Sequence, residues 1–455
     1  MLPYLQIEGR RIVADGIPVK LTGCNLGNFM LVEAYMLGLP GTEFQMRAAM
    51  RSQLGEEKFR AFWDTFMDVS FAEADAKFLS EMGFTLVQLP FNYRHFLADG
   101  TTSGFDQQGF EYVDRVIALC KAHGMRVLLS LHAAPGCAAR DWNAESSSGE
   151  TLLWEHEAFT QQSAAIWKSI ATRYRDEPVV MGYELINEPV TDNLPALNHF
   201  HHECLAAVRS VDTRHIVVIN GNKWGREMRG YDDSLLVDAQ VMFSFHLYTV
   251  IQLPYKHLQS YPGEINGKPF GKAEALAAIN DFLDPRIERP ALVGEFGLVT
   301  GQIEFAAGGG MVSPNNFHAE LNRDLIAEYN RREFPWTFWA YKDLGMISLV
   351  LPKADTPWRA FLARPEVVAL EKSYNACSTL LSSKLAETLP QLKKDDVDLF
   401  TYQAKHHYDT MVLPYVIDLL KQYSPAELAD MARSFAFENC IVEERKLAVY
   451  REGTK

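Results

Sequence analysis

A closed (β/α)8 barrel, preceded by a β-hairpin and followed by a helical extension, is the α/β fold this sequence predicts. Three observations predict it. Strand-like and helix-like stretches alternate from Leu21 to Tyr341, giving eight strand candidates, the number that closes a parallel barrel. The strands read as near-continuous apolar runs, as strands buried on both faces do. No glycine-rich phosphate loop follows the first strand, which removes the main support for the runner-up, an open doubly wound sheet.

The chain opens with Gln6–Thr22, two alternating runs around Asp15-Gly16 that signal a hairpin, of the kind that plugs the lower end of a barrel. Leu21–Asn25 is the first barrel strand. A long excursion, Leu26–Ser70, carries helical patterns over Glu43–Leu54 and Glu56–Val69, and a further helix over Phe71–Met82 is ended by Gly83. Strands are then expected at Thr85–Leu89, Arg126–Leu131, Val179–Ile186, Ile216–Ile219, Val241–Leu247, Ala291–Glu295 and Trp336–Tyr341. Between them fall helices at Phe110–His123, Glu155–Tyr174, Pro195–Ser210, Ala273–Phe282 and Asn315–Arg331. Residues 1–365 are assigned to the barrel with its hairpin, and 366–455 to a helical extension that includes the last barrel helix. Its patterns cover Ala376–Leu392, Val397–Tyr423 and a helix opened by Ser424, with Pro425 at the first position and Glu427 completing a capping box.

Composition narrows the function. The 455 residues carry 44 basic and 58 acidic side chains, a formal charge of -14 that repels phosphate backbones and argues against nucleic acid as a partner. Six cysteines (Cys24, Cys120, Cys137, Cys204, Cys377, Cys440) show neither CxxC pairs nor regular spacing, so reduced thiols are expected and no zinc site. The first residues lack the apolar core of a secretory signal and no uncharged run is long enough to span a membrane, so a cytoplasmic protein without membrane partners is expected. No nucleotide, flavin or metal motif is present, and no cofactor is expected. The cluster His199, His201, His202 sits within a helix and reads as a solvated or packed face rather than a metal site.

The carboxyl ends of the strands carry the chemistry. They present Asn25, Gln88 with Asn92, His132, Asn187 with Glu188, Asn220 with Asn222, His246 with Tyr248, Glu295, and Trp339 with Lys342. Active sites of such barrels sit at this rim. Pro189 stops the ladder immediately after Glu188, and Gly294 and Gly297 leave room for a ligand beside Glu295. Two carboxylates facing each other across the mouth are what glycoside hydrolysis needs: at about 5 Å apart they retain the anomeric configuration, and at roughly 7 to 9 Å they invert it. A total of 12% aromatic residues suits a cleft that stacks sugar faces on flat rings, although core packing explains it equally well.

The segments LPFNY, LHAAPG, GYELINEPV, FSFHLY, VGEFGL and TFWAYKD, in that order from Leu89 to Asp343, resemble glycoside hydrolase family 5, the cellulase-type family of retaining enzymes. The resemblance runs from the hairpin to about Tyr341. It implies Glu188 as acid/base, Glu295 as nucleophile and Asn187 as donor to the sugar 2-hydroxyl. It further implies that His132, His246 and Tyr248 position substrate and nucleophile, and that Trp339 stacks beneath the sugar at the cleavage point. One position departs: Gln88 stands where the family usually carries an arginine that keeps the nucleophile ionised. Gln88 is expected to donate a hydrogen bond to Glu295 without a charge, with Arg94 or Lys342 as candidate compensating cations. Asn25, Asn92, Asn222 and Trp224 are candidates for further subsites.

The expected function is therefore a retaining β-glycoside hydrolase acting on β-glucans, oligosaccharides or small β-glycosides. Two alternatives stay open on the sequence: a non-catalytic or weakly active carbohydrate-binding barrel, favoured by Gln88 and the helical tail, and a transglycosylase using the same site.

Overall fold

The eight apolar runs pair edge to edge into one closed parallel barrel. In this computed structural model, which describes residues 2–249, 260–284, 288–298, 317–391 and 394–455, its strands are β4 (Thr22–Asn25), β5 (Leu86–Asn92), β6 (Arg126–Ala133), β7 (Val180–Glu184), β8 (Ile216–Asn220), β9 (Val241–His246), β12 (Ala291–Glu295) and β13 (Trp336–Phe338). They follow one another around the wall in chain order, and β13 closes on β4 through Trp336↔Thr22, Thr337↔Gly23 and Phe338↔Cys24. Every barrel-strand position is buried, which explains why the strands read as continuous apolar runs. The wall is tight at Gly23, where an added Cβ would fall 1.6 Å from the Leu86 carbonyl oxygen.

The floor is built by the N-terminal segment, and here the sequence reading is extended. Asp15-Gly16 does turn β2 (Arg11–Ala14) onto β3 (Ile17–Pro18), but β1 (Leu5–Glu8) also pairs with β2, making three strands instead of a hairpin. Leu5, Ile7 and Ile12 cluster with Leu86, Leu128, Met181, Ile216, Met242 and Leu292 from inside the barrel, so this sheet plugs the lower end.

The excursion after β4 holds α1 (Ala34–Leu37), α2 (Glu43–Leu54) and α3 (Glu56–Ser70), then α4 (Glu73–Glu81). Thr42 caps α2 with a full capping box through Gln45. The barrel helices α5 (Gln107–Ala122), α6 (Glu157–Tyr174), α7 (Leu194–Arg209), α9 (Lys272–Ala278) and α10 (Phe317–Arg331) alternate with the strands, with a short turn α8 (Asn222–Gly225) after β8 and a small hairpin of β10 (Gly263–Ile265) and β11 (Lys268–Phe270) before α9. Four strand ends differ from expectation by two residues or more, β6 running past Leu131 to Ala133 and β13 stopping at Phe338 rather than Tyr341. β5 runs past Leu89 to Asn92 because β6 pairs with it at every position, and β7 ends at Glu184 rather than Ile186, although Asn187 N still donates to the Leu131 carbonyl at 2.8 Å.

After the barrel come β14 (Val350–Pro352), α11 (Pro357–Leu362), α12 (Pro365–Thr388), α13 (Lys394–Asp418), α14 (Pro425–Ala432), β15 (Cys440–Val442) and α15 (Glu444–Thr454). The Ser424 capping box forms as read. The helix that takes the place between α10 and α4, however, is none of the three patterns expected in the tail but α15: Tyr450 stacks on Phe338 at 4.0 Å, Gly453 abuts Ile326 and Trp336, and Thr454 Oγ1 donates to the Met82 carbonyl at 3.2 Å. Its sequence is dominated by charge and buries only Lys446, Val449, Tyr450 and Gly453, so it lacks the apolar stripe by which helices are recognised. α13 runs along α2 and α14 along α3. Among the described residues no helix is long and apolar enough to cross a membrane.

Candidate active site

Glu188 reaches the mouth on the short segment after β7. Its backbone is held at φ +45, in the left-handed region that non-glycine residues avoid, with its N–H donating to Asn220 Oδ1 at 2.9 Å. Its carboxylate takes two donors: His246 Nδ1 at 2.7 Å on Oε1 and Asn143 Nδ2 at 2.8 Å on Oε2. Glu295 ends β12 opposite it. The Tyr248 hydroxyl donates to Glu295 Oε2 at 2.7 Å, while Oε1 is buried without a hydrogen-bond partner. One oxygen of each glutamate and a ring nitrogen of His246 all lie within 4.8 Å of one another.

Burial pushes the Glu295 pKa upward, reinforced by the negative charges of Glu188 and Glu184 and opposed by His246 and the Tyr248 hydroxyl. Burial disfavours a charge on His246 as well, yet Glu295, Glu188 and Glu184 outweigh it and raise that ring to about 9. Asn220 Nδ2 lies 3.1 Å from His246 Nε2. A neutral ring therefore accepts at Nε2, and in either protonation state Nδ1 keeps the proton it donates to Glu188. Geometrically Glu188, His246 and Glu295 are also the one trio among the described residues close enough to hold a cation, but the proton on Nδ1 occupies that nitrogen's lone pair.

His132 lies below the mouth with its ring parallel to Trp339, centroids 5.5 Å apart, and burial keeps it neutral by lowering its pKa well below the usual histidine range. Both of its ring nitrogens and Asn187 Oδ1 are buried without hydrogen-bond partners, and His132 Nε2 is 3.9 Å from Glu295 Oε1. Trp339 Nε1 donates to the Tyr35 hydroxyl at 2.6 Å, which fixes the indole. The structure thus brings Glu188, Glu295, Asn187, His132, His246, Tyr248 and Trp339 together at the carboxyl-terminal end of the barrel.

Other expectations are corrected. Gln88 does not reach Glu295: its Nε2 donates to Glu184 Oε2 at 2.8 Å, and its Oε1 accepts from Thr337 Oγ1 at 2.8 Å. Neither compensating cation is available, since Arg94 is paired with Asp99 and Glu145 and Lys342 with Asp75 and the Phe435 carbonyl. Asn25 is fully buried and ties the barrel wall together by donating to the Gly294 carbonyl at 3.0 Å; Asn92 accepts from Arg94 N at 3.0 Å and caps a turn; Asn222 is tied to Thr191 through both ends of its amide. These are structural ties that a strand-end position alone does not distinguish from subsites. Trp224 is exposed at the rim, its Nε1 donating to Asp141 Oδ2 at 2.6 Å. His199 pairs with Glu157 and His202 with Asp232, while His201 is buried against Tyr231, so the three do not converge.

Two residues escaped the sequence reading. Asn143 lies in a loop without periodicity. Glu184 was passed over inside an apolar strand, although an acid there is itself a signal: wholly buried, it must find donors, and it accepts from Gln88, from Ser130 Oγ at 2.6 Å and from Ser244 Oγ at 2.5 Å. Burial pushes its pKa up.

A parallel barrel with two buried carboxylates opposed across its mouth defines the class, an enzyme of the glycosidase type. The family model described as Cellulase (glycosyl hydrolase family 5) matches residues 42–345, and the chain belongs to that family. It is 29% identical over 460 aligned residues to a β-xylosidase of Phanerodontia chrysosporium, covering 97% of this chain and 96% of that protein. It is 26% identical over 224 residues to endoglucanase C of Acetivibrio thermocellus, covering 46% of this chain and 63% of that protein. Among solved structures it is similar in fold to an endoglucanase of Thermotoga maritima, with a TM-score of 0.51 and 18% identity over 72% of this chain and 91% of that one.

Proposed function

We propose that this glycosidase is a retaining β-glycoside hydrolase that acts on small β-glycosides and short oligosaccharides, with Glu295 as nucleophile and Glu188 as acid/base. The observation that carries the reading is the approach of the two carboxylates, which bring one oxygen each within 4.8 Å of the other; this supports the roughly 5 Å separation of a double displacement over the wider one of an inverting enzyme. Glu295 Oε1, the oxygen without a hydrogen bond, attacks the anomeric carbon while Oε2 stays on Tyr248. Glu188 transfers its proton to the departing oxygen, the C–O bond breaks, and a glycosyl ester forms on Glu295. Glu188, now without its proton, next takes one from a water that attacks the same carbon and frees Glu295. The Asn143 amide serves both states of Glu188, presenting nitrogen to the carboxylate and oxygen to the acid.

The unpartnered polar atoms of Asn187 and His132 suit sugar hydroxyls, and the resemblance gives Asn187 the 2-hydroxyl and Trp339 the sugar face. A relative that matches over 97% of this chain, tail included, is named a β-xylosidase, which supports small glycosides over an insoluble polymer. The test is a 2-deoxy-2-fluoro-β-glycoside with a good leaving group. A single stable adduct mapped to the peptide of Glu295 is expected, and labelling of any other residue, or a first product of inverted configuration by NMR, refutes the assignment.

A further inference from the structure

Asn220 ends β8 wholly buried, and its amide touches three parts of the site. Oδ1 accepts from Glu188 N at 2.9 Å, Nδ2 donates to Ser244 Oγ at 2.7 Å, and Nδ2 lies 3.1 Å from His246 Nε2. These neighbours assign both ends of the amide. A backbone N–H can only donate, so it takes the oxygen. The one hydroxyl proton of Ser244 is spent on Glu184 Oε1 at 2.5 Å, so Ser244 Oγ is left as an acceptor and takes the nitrogen. Turning the amide over would set donor against donor at Glu188 and acceptor against acceptor at Ser244, both in a buried place. The Tyr231 hydroxyl donates to the Asn220 carbonyl at 2.6 Å and holds the residue from behind.

The second hydrogen of that nitrogen faces His246. The ring is wedged between two backbone segments: an added Cβ would fall 2.9 Å from His246 Cγ at Gly225 and 3.0 Å from His246 Nε2 at Gly294. It therefore keeps Nδ1 on Glu188 Oε1, 2.7 Å away, and Nε2 on Asn220. An amide nitrogen offers no lone pair, so a hydrogen on Nε2 would meet another donor. Charge pulls the other way. Glu188 and Glu295 stand 2.7 and 3.6 Å from Nδ1, Glu184 lies beyond Ser244, and His132 is the other titratable ring that acts on this one. That pull is full only while both mouth carboxylates are ionised, whereas the first step of a double displacement needs a proton on Glu188. With that proton in place, the hydrogen-bond geometry decides.

We propose that Asn220 is the positioning residue that keeps His246 a neutral ring, protonated on Nδ1 alone, so that the proton given and regained in each turnover belongs to Glu188 and never to the ring. The inference rests on the roles proposed for Glu188 and Glu295. It makes His246 a fixed donor to Glu188 in both steps. An imidazolium in its place would favour the ionised form of its carboxylate partner by about 1 to 3 pKa units, and the enzyme would lose its acid. The same amide holds the Glu188 backbone in its left-handed conformation, so one side chain sets both the place of the acid and the protonation of its neighbour.

Nitrogen-15 NMR of the whole enzyme labelled at histidine reads the ring directly, with the His246 signals identified by their loss in His246→Gln. Between about pH 5 and 8 one protonated and one bare nitrogen are expected, the protonated one being Nδ1 by its couplings to the ring hydrogens. Two protonated nitrogens at neutral pH, or the proton on Nε2, overturns the inference. Asn220→Asp keeps the shape and the acceptor for Glu188 N while setting an acceptor against Nε2. The ring should then become an imidazolium. On an alkyl β-glycoside kcat/KM should fall roughly tenfold or more at neutral pH and recover as the pH drops by about 1 to 3 units, with a 2,4-dinitrophenyl β-glycoside spared. A ring still neutral in the variant, or a loss that is equal on the two substrates or does not recover, means that Asn220 only holds backbone and refutes its control of the proton. Failure of the wild type to form an adduct on Glu295 refutes the catalytic roles themselves, and is read independently of the state of the ring.

Discussion

Replacing Tyr248 with phenylalanine removes one oxygen from the site and leaves its packing in place. That oxygen lies 2.7 Å from Glu295 Oε2, the distance of a charge-assisted bond to a carboxylate that is only 5% exposed. Such bonds stabilise the ionised acceptor by about 1.5 to 3 kcal/mol, and one pKa unit corresponds to about 1.4 kcal/mol. Tyr248→Phe should therefore raise the Glu295 pKa by about one to two units, because the donor favours only the charged form. Activity that depends on ionised Glu295 then needs a higher pH. The assay is kcat/KM against pH with a 2,4-dinitrophenyl β-glycoside, whose leaving group needs no proton, so the contribution of Glu188 to the first step drops out. The acidic limb should move up by about one to two units, with a roughly tenfold to hundredfold loss below it and near-recovery above it. A limb that stays put or moves down, or a loss uniform across the profile, would show that the hydroxyl does not act through the charge of Glu295.

Other variants read the same site from different sides. Glu295→Ala should abolish turnover, on the order of 10⁴-fold or more, and azide should restore part of it as a glycosyl azide of inverted configuration; hydrolysis of natural glycosides at the wild-type rate refutes the assignment. Glu188→Ala should remain fast only on aryl glycosides with good leaving groups, so an equal loss on alkyl and activated aryl substrates counts against its role as acid. Gln88→Arg sets a cation against Glu184 and removes a buried negative charge that pushes Glu295 up; the acidic limb should move down by about one unit, and an unmoved limb would disconnect Glu184 from the nucleophile. Gly23→Ala drives a methyl into the Leu86 carbonyl, and a loss of about 3 kcal/mol or more in urea unfolding is expected; a variant of wild-type stability would mean the wall there is looser than its geometry.

The barrel was legible because burial on both faces leaves a strand few polar positions until it emerges. The same rule marked Glu188, Glu295, His132, His246, Tyr248 and Trp339, which the fold brings together from five different strand ends. What the rule does not encode is the partner of each group. Gln88 sits at a strand end by sequence, yet its amide is claimed by Glu184, the buried acid at the end of β7, and not by Glu295. Asn25 and Asn92 occupy rim positions and are consumed by backbone ties. Asn143 stands on a segment whose conformation comes from tertiary contacts, so neither periodicity nor turn chemistry points to it. α15 was missed for a related reason: a helix that fits between two others and over an aromatic strand needs only a few buried side chains.

That helix has a consequence for how the molecule is made. Phe338 and Trp336 receive their cover from Tyr450 and Gly453, which leave the ribosome only after the whole helical tail has been translated. Until then a nascent cylinder carries an open apolar seam between α10 and α4, and its closure is a contact of very long sequence separation, the slow kind. A substitution that breaks the packing of Tyr450 or Gly453 would leave that seam open without touching the catalytic mouth.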